Sequence, residues 1–378
     1  MRLKDIVETI EATKPKVGRD IQHVEDLVMV DGSAGALEAL SELESMAHSV
    51  DDVTVKWDGS PAIYFGRNEQ GEFVLTDTSG FSAKGYNGKV TSAAELQQML
   101  LSRGKEVDDN RKAFAGRMAS LWDKFESMVE PSFRGFIKGD MLYFDTPKVV
   151  GNEYEFTPNT VTYHIPTESS IGKRIANTSA GVVIHKIMSL DGKSEPIHPG
   201  PIAHIKTQGP VMIQPPVVAN HSPVVDTGTI EKLRSYVQGH AKDIDSLLDN
   251  TKLAAEKMSD FKATLYRFVN QQVDTGNMRN LNTKFDAWLA SDPKVSAPKR
   301  AKIEQYRYHN KTAFEAIFYT LEQIMSIKDN VIHQLDKKSE FRSSVNGKPG
   351  GEGYVKGRSN VKLVPRLHFT QANRAKYA

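Results

Sequence analysis

Apolar and polar positions change period several times along the chain. From Ala34 to Met46 apolar residues recur at helical spacing behind Ser33, a suitable cap, so residues 1–48 read as helical. Between 53 and 77 the period drops to two. Val53, Val55 and Trp57 alternate, Ile63 and Phe65 follow, then Phe73 and Leu75, with Asn68-Glu69-Gln70-Gly71 as a turn. Residues 78–90 are rich in Gly and Ser and read as a loop. Helices are predicted near 92–103 and 108–129. In the second, Phe114, Met118, Leu121, Trp122, Phe125 and Met128 form one stripe, the pattern of core packing. Strand patterns resume at 133–143, 153–164, 181–188 and 201–206, with Leu190-Asp191-Gly192-Lys193 as a hairpin-type turn. The Pro-rich stretch 208–227 reads as a linker. From 228 to 335 the period is helical again, and 343–351 reads as a flexible breaker before short strands at 352–356 and 361–364.

These patterns predict an α+β protein with an N-terminal helical segment (1–50), a mixed core (51–227), an all-helical domain (228–340) and C-terminal strands (341–378). Two strands are too few to fold alone. They are expected to return to the sheet of the core, which makes the helical block an insertion.

Composition narrows the chemistry. The 378 residues are 39% hydrophobic and 25% charged, the profile of an ordinary soluble globular protein. There is no cysteine, which excludes disulfides, thiolate metal sites and a cysteine nucleophile. No run approaches the ~18 apolar residues of a membrane span, and the mixed-charge start MRLKDIVETIEA is no signal sequence. A cytoplasmic, non-membrane protein is expected.

The formal charge of +2 hides an asymmetry. Residues 335–378 hold ten Lys/Arg against three acids, and residues 294–311 hold six against Glu304. The rest of the chain is acidic. Basic segments on an acidic body suit a phosphate backbone as partner, although a solvated helix face and a charged tail explain them equally. Aromatics interleave with charge in Gln305-Tyr306-Arg307-Tyr308-His309, where they could stack bases.

Lys56-Trp57-Asp58-Gly59 ends one apolar strand and precedes another. A lysine amine attacks only when unprotonated, so it needs desolvation or neighbouring positive charge. Alone, K-x-D-G is weak, because Asp-Gly is also turn chemistry. Further elements follow: Ser82-Ala83-Lys84-Gly85 on the Gly-rich loop, Lys138-Gly139-Asp140-Met141 in a strand pattern, Gly351-Glu352-Gly353-Tyr354-Val355 and Val361-Lys362-Leu363-Val364 on the late strands. His198 and His204 have no recognised metal spacing and read as structural. Trp57 reads as a packing residue.

In this order the motifs resemble the covalent nucleotidyltransferase superfamily of ATP-dependent RNA and DNA ligases and mRNA capping enzymes. Lys56 to Gly59 looks like motif I, and Ser82 to Gly85 like the Ser-Lys-Gly element of phage RNA ligases. Gly139-Asp140 is similar to motif III with Asp for Glu, Glu352 to Val355 to motif IV, and Val361 to Val364 to motif V. The arrangement also resembles proteins of tailed phages, for which the compartment would be the host cytoplasm. The resemblance implies an antiparallel-sheet adenylation domain that uses ATP and Mg2+ or Mn2+. It implies that Lys56 forms a lysyl–AMP, that Asp58, Gly59, Lys84, Asp140 and Lys362 bind the nucleotide, and that Glu352 holds the metal. It implies joining of a 5′-phosphate to a 3′-hydroxyl, with RNA favoured over DNA because Pro61 stands where DNA ligases place Arg. Other acceptors, or a non-catalytic phage nucleic-acid-binding or structural role, are the alternatives.

Two departures bear on this. Val364 replaces the second lysine of motif V, with Arg366 or Lys356 as substitutes, and the distance from 140 to 352 is long. A rival placement reads Ala180-Gly181-Val182-Val183 as motif IV and Lys206 as motif V. The C-terminal pair is preferred because it keeps both charged groups; 181–188 is then an interior strand of the same sheet, and Tyr163 or His185 would face the base.

Overall fold

Ile63, Phe65, Ile137, Met141, Val182 and Ile184 fall on one face of their strands, and the helical stripe Met118, Leu121, Trp122 and Phe125 buries against them. In the computed structural model, which describes residues 22–84, 90–103, 107–351, 353–357, 359 and 361–366, this packing organises one of two units. The chain is mixed α/β, with largely antiparallel sheets and several helices.

The sheet-rich unit comprises residues 55–218 and 339–352. Its larger sheet runs β10 (Ser194–Pro196), β9 (Ala180–Met188), β5 (Gly135–Tyr143), β3 (Ala62–Arg67), β4 (Phe73–Asp77), and β11 (Val211–Gln214) pairs in parallel with β9. The smaller sheet is antiparallel, in the order β13 (Lys348–Pro349), β12 (Arg342–Val345), β8 (Thr162–Pro166), β7 (Glu153–Phe156), β6 (Lys148–Val150). Helix α2 (Thr78–Lys84) lies beside β3 and β4; α3 (Ala93–Leu101), α4 (Asp109–Ser120) and α5 (Trp122–Glu126) follow. Ser92 and Asp108 cap α3 and α4 by accepting from the Glu95 and Arg111 amides.

Three predicted loops carry structure. Residues 78–84 form α2, capped by Asp77, which accepts from the Gly80 amide at 2.8 Å. The Pro-rich stretch contains β11, all four residues of which are buried. The breaker at 343–351 contains a hairpin whose turn residues Asn346 and Gly347 both have positive φ, the conformation Asn-Gly supplies at a tight two-residue turn. Conversely, 201–206 forms only isolated bridges at Ile202 and Ile205.

The helix-rich unit comprises residues 1–54, 219–338 and 353–378. Its helices are α1 (Leu27–Ser45), α6 of the sheet-rich unit (Ser170–Ile175) being followed here by α7 (Thr227–Gly239), α8 (Ala241–Leu248), α9 (Asn250–Ala255), α10 (Phe261–Asp274), α11 (Leu281–Ser291), α12 (Ala297–His309) and α13 (Lys311–Lys337). Phe261, Phe268, Phe285, Phe314 and Phe318 form its aromatic core. Gly32, at φ 62°, kinks α1, and Asp245 caps the restarted helix by accepting from the Ser33 amide and hydroxyl, each at 2.7 Å. The late strands β14 (Gly353–Lys356) and β15 (Val361–Leu363) lie outside the two larger sheets, and β14 neighbours the strand that carries Lys56. They lie in a sheet ordered β1 (Gln22–His23), β15, β14, β2 (Val53–Lys56), with β15 parallel to β1. Residues 339–352 belong to the sheet-rich unit, so the helical block interrupts that unit in sequence. No helix among the described residues is long and apolar enough to cross a membrane.

Asp336, near the end of α13, gives this unit a pH response. Burial pushes its carboxyl up to about 6, against the opposing hydrogen bond from the Tyr354 hydroxyl at 2.8 Å. Between about pH 4 and pH 6 the folded chain keeps a proton that the unfolded chain has lost, so this group's contribution to stability falls as pH rises through that window and is flat above it. Asp336→Asn keeps an acceptor for Tyr354. It is expected to abolish this slope and to raise stability at neutral pH by about 1–3 kcal/mol, measured by urea denaturation at several pH values.

Candidate functional site

The strand end that carries Lys56 turns directly onto β5. The Ser60 amide donates to the Met141 carbonyl at 2.8 Å, and the Met141 amide donates to the Pro61 carbonyl at 3.0 Å. Ala62 then pairs with Asp140 in the ladder. Gly59 lies so close that a Cβ there would sit 2.6 Å from Asp140 Cβ and 3.1 Å from its carbonyl. Only glycine permits this approach. Lys56, Asp58, Gly59 and Asp140 are thereby brought together in one unit.

Asp58 is not free to bind a ligand. It is buried, and its carboxylate accepts from Asn159 Nδ2 (3.0 Å), the Thr160 amide (2.7 Å) and the Val161 amide (3.1 Å). Its own amide donates to the Tyr163 hydroxyl at 2.6 Å. The residue clamps the turn to the loop before β8. Asp58→Ala would leave the buried Val161 amide and the half-buried Thr160 amide without this acceptor, and a loss of about 2–4 kcal/mol in unfolding free energy is expected by chemical denaturation.

Trp57 is a packing residue, with its ring centroid 4.7 Å from Tyr163 and 4.8 Å from Phe341. Tyr163 is fully buried in the same cluster, so it cannot face a base. His185 does face the site, with Nε2 2.8 Å from Asp140 Oδ2. Beside it, Lys138 lies over the Tyr64 ring at 5.7 Å, and Phe81 of α2 stacks on Tyr64 with centroids 4.1 Å apart. The Ser-Ala-Lys segment therefore continues a helix docked on the same sheet face as Asp140. The Lys84 side chain and Glu352 lie outside the described residues.

Lys362 lies in β15 of the helix-rich unit, paired with His23. Its two proposed substitutes are both committed elsewhere in that unit. Lys356 Nζ contacts Glu42 and Ser45, each at 2.6 Å, and Arg366 is buried against Glu25 and Asp26. The rival elements share the sheet of Asp140: Val183 of β9 pairs with Asp140, and β11 runs parallel to β9 just after Lys206. His204 approaches Glu130 at 2.8 Å on a turn, in keeping with a structural role.

The basic segment 294–311 spends half its cations internally. Lys299 pairs with Asp260, Arg300 donates to the Leu289 carbonyl, and Arg307 pairs with Asp286 while lying over Phe285 and Phe314. Lys294, Lys302 and Lys311 are exposed, as is Tyr308 at 82%.

A sequence profile described as a family of unknown function, DUF6267, matches residues 19–376. The chain belongs to DUF6267. The match spans both units, so the DUF6267 fold includes the helical block and the late strands together with the sheet core. No curated protein and no solved structure matches the DUF6267 chain.

Proposed function

We propose that the chain is a covalent nucleotidyltransferase of RNA-ligase-like type with Lys56 as its nucleophile. The observation that supports this reading is the seating of Gly59, at the end of the Lys56–Gly59 motif, against Asp140, which joins the two motif segments at one strand junction. Lys56 Nζ attacks the α-phosphorus of ATP, a P–N bond forms, the P–O bond to pyrophosphate breaks and the amine proton leaves to solvent. A 5′-phosphate oxygen of a polynucleotide then attacks the same phosphorus, the P–N bond breaks and the lysine regains its proton. Attack of a 3′-hydroxyl on the 5′-phosphorus expels AMP and seals the strand.

The donor set suits a magnesium ion, which takes one or two carboxylates and completes its shell with phosphate oxygens and water. His185 engages Oδ2 of Asp140, and among the described residues no hydrogen bond engages its other oxygen. When bound, the ion supplies positive charge to the phosphates.

One observation favours a different acceptor, a protein or a small molecule. Some of the cations that suggested a nucleic-acid grip are engaged internally, at Lys299, Arg300, Arg307, Lys356 and Arg366.

The test is incubation with ATP labelled at the α-phosphate and a divalent metal, followed by denaturing electrophoresis. Acid-labile covalent label is expected, and its absence overturns the proposal. Transfer of that label to 5′-phosphorylated RNA supports the ligase. Label that forms but never moves to RNA or DNA supports the other acceptor.

A further inference from the structure

The sheet face that carries Asp140 also holds two lysines placed directly opposite each other. Lys138 of β5 and Lys186 of β9 are cross-strand partners. Such partners have Cβ atoms about 4.5–5.5 Å apart, and like charges so placed repel. Neither ammonium belongs to an ion pair among the described residues; Lys138 rests over the Tyr64 ring and Lys186 is exposed.

A bulge creates this pairing. Ile184 pairs with Gly139 and Lys186 with Lys138, so His185 is one residue extra on β9. A bulge of this kind shifts all that follows by one position. Without it, His185 would oppose Lys138, and Lys186 would oppose Ile137 on the face buried in the apolar cluster. The extra residue brings Lys186 onto the Asp140 face. It also brings the His185 ring to within 2.8 Å of Asp140, where it engages the carboxylate that shares that face with Lys138. The result is a cationic pair with its anionic neighbour engaged by His185.

We propose that Lys138 and Lys186 form a binding site for a phosphate group or phosphate chain, seated between the two ammoniums. Two donors of this ligand are compatible with the chemistry: the phosphate tail of a nucleotide and the terminal 5′-phosphate of a polynucleotide. The site's use in catalysis rests on the function proposed above; its existence does not.

Titration calorimetry of the full chain with tripolyphosphate tests it, using wild type, Lys138→Ala, Lys186→Ala and a control at the exposed Lys148 of β6. Saturable binding is expected in wild type and in Lys148→Ala, weakened at least about tenfold in each of the other two. Because Lys186 is exposed, Lys186→Ala should fold even if Lys138→Ala does not. A second arm compares 5′-phosphorylated with 5′-hydroxyl oligonucleotides. A preference for the phosphorylated end that vanishes in Lys186→Ala, with no tripolyphosphate binding, assigns the site to the polynucleotide. Absence of binding to either probe, or equal binding by wild type and both variants, overturns the site. Covalent label on Lys56 with unchanged phosphate binding removes the site and leaves the function. Phosphate binding lost in the variants, with no label in wild type, does the reverse.

Discussion

Lys56→Arg is expected to abolish covalent nucleotide labelling while leaving the chain folded. Arginine keeps the positive charge and most of the length of lysine but is never deprotonated in proteins, so it cannot attack phosphorus. Lys56 is half-buried at the end of β2, and no salt bridge or hydrogen bond holds its side chain among the described residues, so the exchange removes the nucleophile without removing a structural partner. A residue that merely attracts phosphate would tolerate the change with partial loss. A nucleophile loses all activity, and Lys56→Arg should match Lys56→Ala at more than about 10³-fold below wild type. The quantity to measure is the initial rate of label incorporation at saturating ATP. Label retained in Lys56→Arg would move the covalent chemistry to another residue. Thermal melting of both variants within a degree or two of wild type would confirm that the loss is chemical.

Part of the candidate site was legible because the proposed chemistry is carried by residue types in order. Lys56, Asp58, Gly59 and Asp140 could be picked out by motif, and the ladder that joins Ser60–Ala62 to Asp140–Met141 brings them together. What could not be read was each residue's partner. Asp58 has the spacing of a ligand contact but serves as an internal clamp, a fact that depends on Thr160 and Val161 a hundred residues away. His185 sits in a run, Val182 to Met188, whose apolar and polar positions do not announce a bulge. Charge counting met the same limit: Arg307 and Arg366 are as basic as Lys302, yet both are neutralised by carboxylates distant in sequence or on a neighbouring helix.

The missed elements have their own causes. Residues Val211–Gln214 are flanked by Pro210, Pro215 and Pro216, so local composition signals a linker, and the strand exists because β9 supplies a parallel partner that local periodicity cannot supply. Helix α2 is poor in strong helix formers. It is held by the Asp77 cap and by Phe81 packing on Tyr64 and Phe136, which are tertiary contacts. The turn at Asn346-Gly347 was a local signal in full view. Its surrounding Ser, Pro and Gly masked the two short strands it joins.

Arg366→Met is expected to lower the unfolding free energy by about 3–5 kcal/mol, because it leaves buried negative charge without its partner. Arg366 Nη1 lies 2.7 Å from Asp26 Oδ1 and 3.2 Å from Glu25 Oε1, and Nη2 donates to Asn270 Oδ1 at 2.6 Å. Lys328, also fully buried, contacts Glu25 at 2.8 Å. Burial disfavours the charge on both acids. For Glu25 the two cations outweigh burial and hold its pKa below the ordinary range, whereas for Asp26 burial prevails and its pKa is raised. Methionine keeps Lys328 beside Glu25 but removes the guanidinium that touches Asp26. The pKa of folded Asp26 then rises further, so the variant's deficit should be smallest in acid, where Asp26 is protonated in both states, and should grow as pH rises through the new folded value. Asp26→Asn in the same chain removes the stranded charge and should recover part of the loss. Urea denaturation of the single and double variants across pH checks this, and a deficit independent of pH would mean that lost packing over Tyr266 matters more than charge. The same residue anchors the segment just beyond β15, which pairs with β1 immediately before Glu25. Hydrogen exchange at Val361 and Leu363 should accordingly quicken in Arg366→Met if the ion network and the strand open together.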